Sequence, residues 1–146
     1  MSPRFPLPVM ASVGHLGGTL DLGKSSEVVV ALAKEFMSAI RRISPTWKRA
    51  FWRFESEEFR FGSNASYVTL DGVYLVPAIK EGALFDAMNS LGRKLWECES
   101  DPTKRFCVCL LSIEDNFDYE IKFETEDLSK WRITKVGGKT GVPEGL

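Results

Sequence analysis

The feature that most restricts how this chain can fold is an unbroken alternation of apolar and charged residues over 117–124. Every second residue there is aromatic or aliphatic, and the others carry charge. Successive side chains of a β-strand point to opposite faces of the sheet. The alternation therefore predicts a strand with an apolar inner face and a charged outer face. The preceding run, 106–113, predicts an interior strand, because both of its faces are apolar.

Residues 47–76 show a similar two-residue spacing and predict an antiparallel meander. Asp71-Gly72 is a strong signal for a hairpin turn. Gly62-Ser63-Asn64 predicts another turn, since these residue types are common in turns. Three or four strands are expected here, over 47–55, 58–61, 65–70 and 73–76.

Two other segments repeat their apolar residues every three to four positions, which predicts amphipathic helices. The first spans 26–43, with Ser25 or Ser26 as its N-cap and Pro45 just beyond its end. The second spans 80–97. Each helix needs a sheet or another helix to bury its apolar face.

The order of these segments predicts an α+β fold with a single antiparallel sheet of five to six strands and two main helices. The expected element order is α-β-β-β(-β)-α-β-β, and one domain is expected at 146 residues. Both ends of the chain are rich in glycine and proline. We therefore predict an irregular N-terminal arm at 1–24, a single α+β domain at 25–134 and a mobile tail at 135–146.

The charge balance argues against a nucleic-acid or membrane partner. Lys and Arg number 19 against 20 Asp and Glu, whereas nucleic-acid-binding domains are usually strongly basic. No apolar run approaches the roughly 18 residues of a membrane-spanning helix. Three cysteines without a CxxC spacing predict neither a disulfide framework nor a zinc site, and they favour a cytoplasmic protein.

Signals for catalysis or cofactor binding are weak. The single histidine, His15, has no second histidine to form a metal site or an acid–base pair. No catalytic residue, metal or cofactor is therefore expected. The segment from Gly18 to Ser25 does match the letters of a phosphate-binding P-loop, G-x-x-x-x-G-K-S. Because no strand pattern precedes it, nucleotide binding at Gly18–Ser25 is the third functional hypothesis.

Charge is unevenly distributed along the chain. Residues 114–127 contain seven acids and one lysine, a local charge of −6, whereas 1–50 carry seven basic and three acidic residues. An acidic face of this kind would attract a basic protein and speed its association. An exposed tryptophan is a common interface anchor, and one open sheet face would expose Trp52 or its neighbour. The predicted partner-binding residues are Glu114, Asp115, Asp118, Glu120, Glu124 and Trp52.

Several local patterns are similar to those of a known protein family. The aromatic first strand opens with Pro45-Thr46-Trp47, and the second helix ends in Arg93-Lys94-Leu95-Trp96. The strand at Phe117-Asp118-Tyr119-Glu120 is followed by an acidic stretch and by Trp131. Over roughly residues 26–132 this layout resembles small bacterial immunity proteins of the YezG-like kind, which neutralise polymorphic toxins.

The resemblance implies a non-enzymatic inhibitor that caps a secreted nuclease or another toxin domain inside the producing cell. The acidic surface suits a basic nuclease. The partner would then be a protein, and the chain would be a monomer or a homodimer. The alternative is a chaperone, because the element order also resembles that of type III secretion chaperones, which are small acidic dimers that hold an unfolded effector segment.

Overall fold

The computed structural model describes the backbone of residues 18–146 and the side chains from Gly23 onward. Two helices and five strands follow in the predicted order. They are α1 (Gly18–Ile43), β1 (Arg49–Ser56), β2 (Phe61–Thr69), β3 (Gly72–Leu75), α2 (Gly82–Glu97), β4 (Val108–Glu114) and β5 (Tyr119–Glu124). Short 3-10 turns lie at Pro102–Lys104 and Val136–Gly138. The fold class is α+β, as the sequence predicts.

The strands form one antiparallel sheet in the order β3-β2-β1-β4-β5. The central strand is β1, in which Trp52 lies opposite Ala65 of β2 and Leu111 of β4. The interior position predicted for β4 is confirmed. The hairpin predicted at Asp71-Gly72 is also confirmed, because β2 and β3 pair up to Thr69 and Gly72. The two edges of the sheet are β3 and β5.

Both helices pack on the same face of the sheet and enclose the larger core. The predicted apolar stripes supply its helical side: Val29, Leu32, Phe36 and Ile40 from α1, and Leu84, Met88 and Leu95 from α2. Trp52 and Phe54 are buried in the same core on the sheet side. Gly92 allows α2 to approach the sheet, because a methyl group there would lie 2.9–3.0 Å from these two aromatic rings.

The opposite face of the sheet is covered by residues 125–146, which we call the C-terminal segment. Trp131 and Ile133 of this segment form a second buried cluster with Phe51, Val108 and Leu110 of the sheet. The segment contains no strand and only one short 3-10 turn. The sheet is therefore covered on both faces, by helices on one side and by irregular chain on the other.

Polar side chains of the sheet bind the backbone of the C-terminal segment. The Arg53 side chain is almost fully buried, and its guanidinium donates hydrogen bonds to the carbonyls of Lys130 and Leu128 at 2.7 and 2.6 Å. Ser66 Oγ donates to the carbonyl of Gly141 at 2.7 Å. Within the tail predicted at 135–146, the bond to Gly141 attaches the backbone to the sheet and satisfies a carbonyl that would otherwise face water.

The turn between the first two strands lies at 57–60, and the turn predicted at 62–64 is wrong. Ser63 Oγ donates a hydrogen bond to Asn89 Oδ1 of α2 at 2.6 Å. Asn64 Nδ2 donates to a backbone carbonyl of the C-terminal segment at 2.8 Å. These contacts with distant elements hold both residues in an extended strand and outweigh their preference for turns.

The first helix begins earlier than predicted. It starts at Gly18, so Ser25 and Ser26 lie inside it and neither is its N-cap. No proline interrupts this stretch, and the helical hydrogen bonds can continue. A P-loop is a non-helical loop whose amides turn toward phosphate, whereas Gly18–Ser25 is helical here, so the backbone does not favour the nucleotide hypothesis. The rest of the predicted arm, 1–17, lies outside the described residues.

Candidate protein-binding surface

Trp52 is not a surface residue, and its prediction as a partner contact is wrong. It is 0% exposed beneath the helices, and its ring stacks on Phe54 with centroids 5.3 Å apart. Phe51 points to the other face and is also buried, because the C-terminal segment covers it. The prediction required one sheet face to be open, and neither is open at this position.

The five acidic candidates all belong to the hairpin that β4 and β5 form. Glu114 ends β4, Glu120 and Glu124 lie in β5, and Asp115 and Asp118 lie in the connection. We call these five residues the acidic edge, because β5 is an edge strand of the sheet. The hairpin thus brings together the five acids that were predicted as partner contacts.

Three of these carboxylates share one face of the sheet. Glu120 lies opposite Ser112 in the strand register. The amide of Glu114 donates a hydrogen bond to the carbonyl of Asp118 at 2.9 Å, which continues that register. Opposite residues of antiparallel strands project to the same side. Since Ser112 in turn lies opposite Phe51, Glu114, Asp118 and Glu120 all lie on the face away from the helices, where the C-terminal segment leaves them partly exposed.

Nearby lysines neutralise part of the acidic edge. Lys48 Nζ lies 3.6 Å from Asp115, and Lys122 Nζ lies 3.9 Å from Glu120. Both pairs are partly exposed, so water screens them and each binds weakly. Among the side chains of residues 23–146, Asp118 forms no ion pair, and its Oδ2 accepts a hydrogen bond from Asn116 Nδ2 at 3.3 Å. The acidic edge therefore keeps a net negative charge.

Glu124 has a structural role that distinguishes it from the other four acids. Its Oε2 accepts hydrogen bonds from the amides of Asp127 and Glu126, both at 3.0 Å. These bonds hold the turn at which the C-terminal segment leaves β5. The Asp127 amide, followed by the Glu126 amide, lowers the pKa of the Glu124 carboxyl. We assign Glu124 to this turn, and the remaining acids to the candidate surface.

The connection between β4 and β5 also exposes the ring of Phe117. The alternation of apolar and charged residues over 117–124 predicts instead that this ring points into the core. Since β5 begins only at Tyr119, Phe117 lies in the turn with φ = 74° and is about half exposed. The guanidinium of Arg41 in α1 lies 5.6 Å from the centroid of its ring. An open groove of about 500 Å³ runs beside this ring, and Lys48 and Asp115 also line it. Phe117 therefore adds an apolar contact to the acidic edge.

A second exposed feature lies at the other end of the sheet, where sequence reasoning predicts only a strand over 58–61. The structure has a hairpin turn at 57–60, in which Phe59 is 95% exposed. Phe61, the first residue of β2, is about half exposed. The only sequence signal for exposed residues here is that two phenylalanines lie among polar and charged residues. The same sequence also fits an alternating strand, so it does not indicate a turn. This turn and the acidic edge therefore lie at opposite ends of the sheet.

No family model matches the chain, and no curated protein matches it. Over the described residues, no three His, Cys, Asp or Glu side chains are grouped so that they could hold a metal ion. Among the helices of residues 18–146, none is long and apolar enough to cross a membrane.

Proposed function

We propose that this chain is a non-enzymatic immunity protein that binds and neutralises a cognate bacterial toxin domain, with a basic nuclease as the expected class. The observation that carries the proposal is the placement of Glu114, Asp118 and Glu120 on one face beside an edge strand. Nucleases bind phosphates through lysine and arginine side chains. A row of carboxylates complements such a surface.

The spacing of these acids supports binding to several basic groups at once. Asp118 and Glu120 are two residues apart along extended chain, which corresponds to about 7 Å. Separate lysine or arginine side chains can therefore pair with separate carboxylates. The excess negative charge over residues 114–127 also attracts a basic domain at long range and raises its association rate.

Phe117 supplies the apolar part of the same surface. Protein interfaces commonly place an aromatic ring in the buried centre and charged groups around it. Phe117 is about half exposed, and it lies beside Asp115 along the groove described above. The proposal assigns no catalytic residue, metal or cofactor to the chain. Inhibition follows from covering the basic surface that the toxin needs for its own substrate.

The test is an affinity capture with matched charge variants. Tagged wild-type protein, the Asp118→Lys/Glu120→Lys variant and the Glu27→Lys/Glu35→Lys control are each incubated with lysate of the producing cell. The control changes two exposed acids of α1 and alters net charge by the same amount. We expect the wild type and the control to retain one basic protein. The acidic-edge variant should lose it, and so should the wild type at high salt.

Two results would contradict the proposal. Equal retention of the basic protein by the acidic-edge variant would show that another surface binds it. Recovery of a largely unfolded, non-basic effector segment, held by a dimer of this chain, would favour the chaperone alternative. Circular dichroism of each variant checks that the substitutions leave the fold intact.

A further inference from the structure

The turn between β1 and β2, residues 57–60, projects from the end of the sheet opposite to the acidic connection; we call it the hairpin tip. The amide of Glu57 donates a hydrogen bond to the carbonyl of Arg60 at 2.8 Å and closes the turn. Phe59 lies within it and is almost fully exposed. A single exposed apolar residue is ordinary on a protein surface. Evidence for a function at Phe59 must therefore come from the residues around it.

An arginine from a different element fixes the conformation of the hairpin tip. Arg93 of α2 donates Nη1 to the carbonyl of Glu57 at 2.5 Å and Nη2 to the carbonyl of Glu58 at 2.6 Å. Nη1 also donates to Ser56 Oγ at 2.8 Å. The guanidinium lies 4.0 Å from the centroid of the Trp96 ring, which holds it from the helix side. The tip is therefore tied to the helical layer.

The other exposed hairpin turn provides a contrast. Leu70, between β2 and β3, is 90% exposed and as apolar as Phe59. The side-chain hydrogen bonds at that turn come from its own neighbours, Thr69, Asp71 and Tyr74. A turn that is already rigid loses less conformational entropy when a partner binds it. Of these two exposed turns, the one that carries Phe59 is bonded by a side chain from a distant element, Arg93 of α2.

The charges of the hairpin tip indicate the chemistry of its partner. Arg60 Nε lies 2.6 Å from Glu57 Oε1, so this cation is already paired. Within the described part of the chain, the Glu58 carboxylate forms no ion pair, and it adjoins Phe59. The tip therefore presents an aromatic ring beside a carboxylate that forms no ion pair, although the Arg93 guanidinium binds the neighbouring Glu58 carbonyl. A complementary partner surface has an apolar pocket with a lysine or arginine at its rim.

We infer that the hairpin tip is a preorganised anchor that inserts Phe59 into an apolar pocket with a basic rim on a folded protein partner. Phe61, about half exposed at the start of β2, extends the apolar contact toward an open groove of about 440 Å³ along α2. Aromatic side chains that enter such pockets commonly dominate the binding energy of an interface. The inference rests on the proposed function, because it takes the partner to be basic.

The anchor and the acidic edge are separate contacts. The strand β1 has eight residues, and they span about 25 Å between the two ends of the sheet. A partner that touches both must therefore span about that distance from one end of the sheet to the other. Substitutions at one end leave the side chains of the other end in place, so the two surfaces can be tested independently.

Photocrosslinking in the producing cell tests the anchor directly. Phe59 is replaced by p-benzoylphenylalanine in one variant and Leu70 in the control, since both positions are about equally exposed. We expect an adduct at position 59 and none at position 70, with the crosslinked peptide containing apolar and basic residues. Glu58→Lys should weaken the adduct. No adduct at position 59, an equal adduct at position 70, or an acidic crosslinked peptide would overturn the inference.

The partner identified by crosslinking is then purified in native form, and its affinity for variants of this chain gives the quantitative test. We expect Phe59→Ala to weaken binding by about 10-fold or more, and Leu70→Ala to leave it unchanged. Because Phe59 makes few contacts within the chain, its loss should not alter the unfolding midpoint. Equal affinities for both variants would refute the anchor. If Asp118→Lys/Glu120→Lys still abolished binding in that case, the proposed function would stand. An anchored partner that is not a toxin would overturn the proposed function alone.

Discussion

Replacing Gly92 with alanine tests how closely α2 packs on the sheet. The added methyl carbon would lie 2.9 Å from Cη2 of Trp52 and 3.0 Å from Cδ2 and Cε1 of Phe54. Both rings are 0% exposed and stack on each other. Neither ring can move into solvent to relieve the contact, so the helix must shift away from the sheet or the core must rearrange.

The size of the effect follows from two opposing contributions. Overpacking a filled core costs about 1–3 kcal/mol, and three close contacts with two enclosed rings place this case near the upper value. Alanine regains about 1 kcal/mol over glycine inside a helix. The free energy of unfolding should therefore fall by about 2 kcal/mol. For a chain of this length, that lowers the Tm by about 4–8 °C.

The assay is urea unfolding, followed by tryptophan fluorescence and circular dichroism. Gly82→Ala, at the first residue of the same helix, is the control, because a methyl group there meets nothing within 4 Å. It should leave stability unchanged or raise it by up to about 1 kcal/mol. If Gly92→Ala proved as stable as Gly82→Ala, the close approach of helix and sheet would be refuted.

Two further predictions concern the C-terminal segment. Arg53→Met removes three hydrogen bonds made by a buried guanidinium. It should cost about 3 kcal/mol and speed hydrogen exchange over 128–142, whereas the exposed Arg60→Met should do neither. The folded state lowers the pKa of Glu124. Its carboxylate therefore stabilises the fold fully above the unfolded pKa of about 4.3. This stabilisation is lost as the pH falls through the lower pKa of the folded state. Glu124→Gln should therefore destabilise the protein at neutral pH but progressively less in acid, and a pH-independent difference in urea unfolding would contradict this assignment.

The parts of the fold that sequence reasoning predicts are those with a local repeating signal. The apolar stripe from Val29 to Ile40 and the alternation through β5 each repeat over several turns or residue pairs. Burial on one face imposes that repetition, so the pattern identifies both the element and its inner side. Asp71-Gly72 is a local turn signal of the same kind.

The errors arise where distant contacts decide the local structure. Asn64 belongs to a residue type that favours turns, but its side chain binds the backbone of the C-terminal segment and stays in β2. In that segment the apolar residues do not repeat at a regular spacing. Hydrogen bonds to its backbone carbonyls help to attach it to the sheet, and such bonds leave no pattern in the sequence. Nothing in the sequence therefore indicates that it covers the second face of the sheet and buries Phe51.

The residues of the candidate surfaces also fall into those that a local sequence pattern predicts and those that it does not. The placement of Glu120 and Glu124 on the outer side of β5 follows from the alternating pattern, and both are partly exposed there, while their role in binding stays a prediction. The exposure of Phe117 and Phe59 does not follow from it, since each continues an alternating pattern but lies in a turn in the structure. The role of Arg93 is also unpredictable from sequence, because its partners lie more than 30 residues away along the chain.

The most direct test of the central claim is growth protection by co-expression. The basic domain recovered in the capture experiment is expressed from an inducible promoter, together with wild-type protein, with Asp118→Lys/Glu120→Lys or with Glu27→Lys/Glu35→Lys. We predict that the domain alone arrests growth, that the wild type and the α1 control restore it, and that the acidic-edge variant does not. Absence of toxicity, or full protection by the acidic-edge variant, would contradict the account.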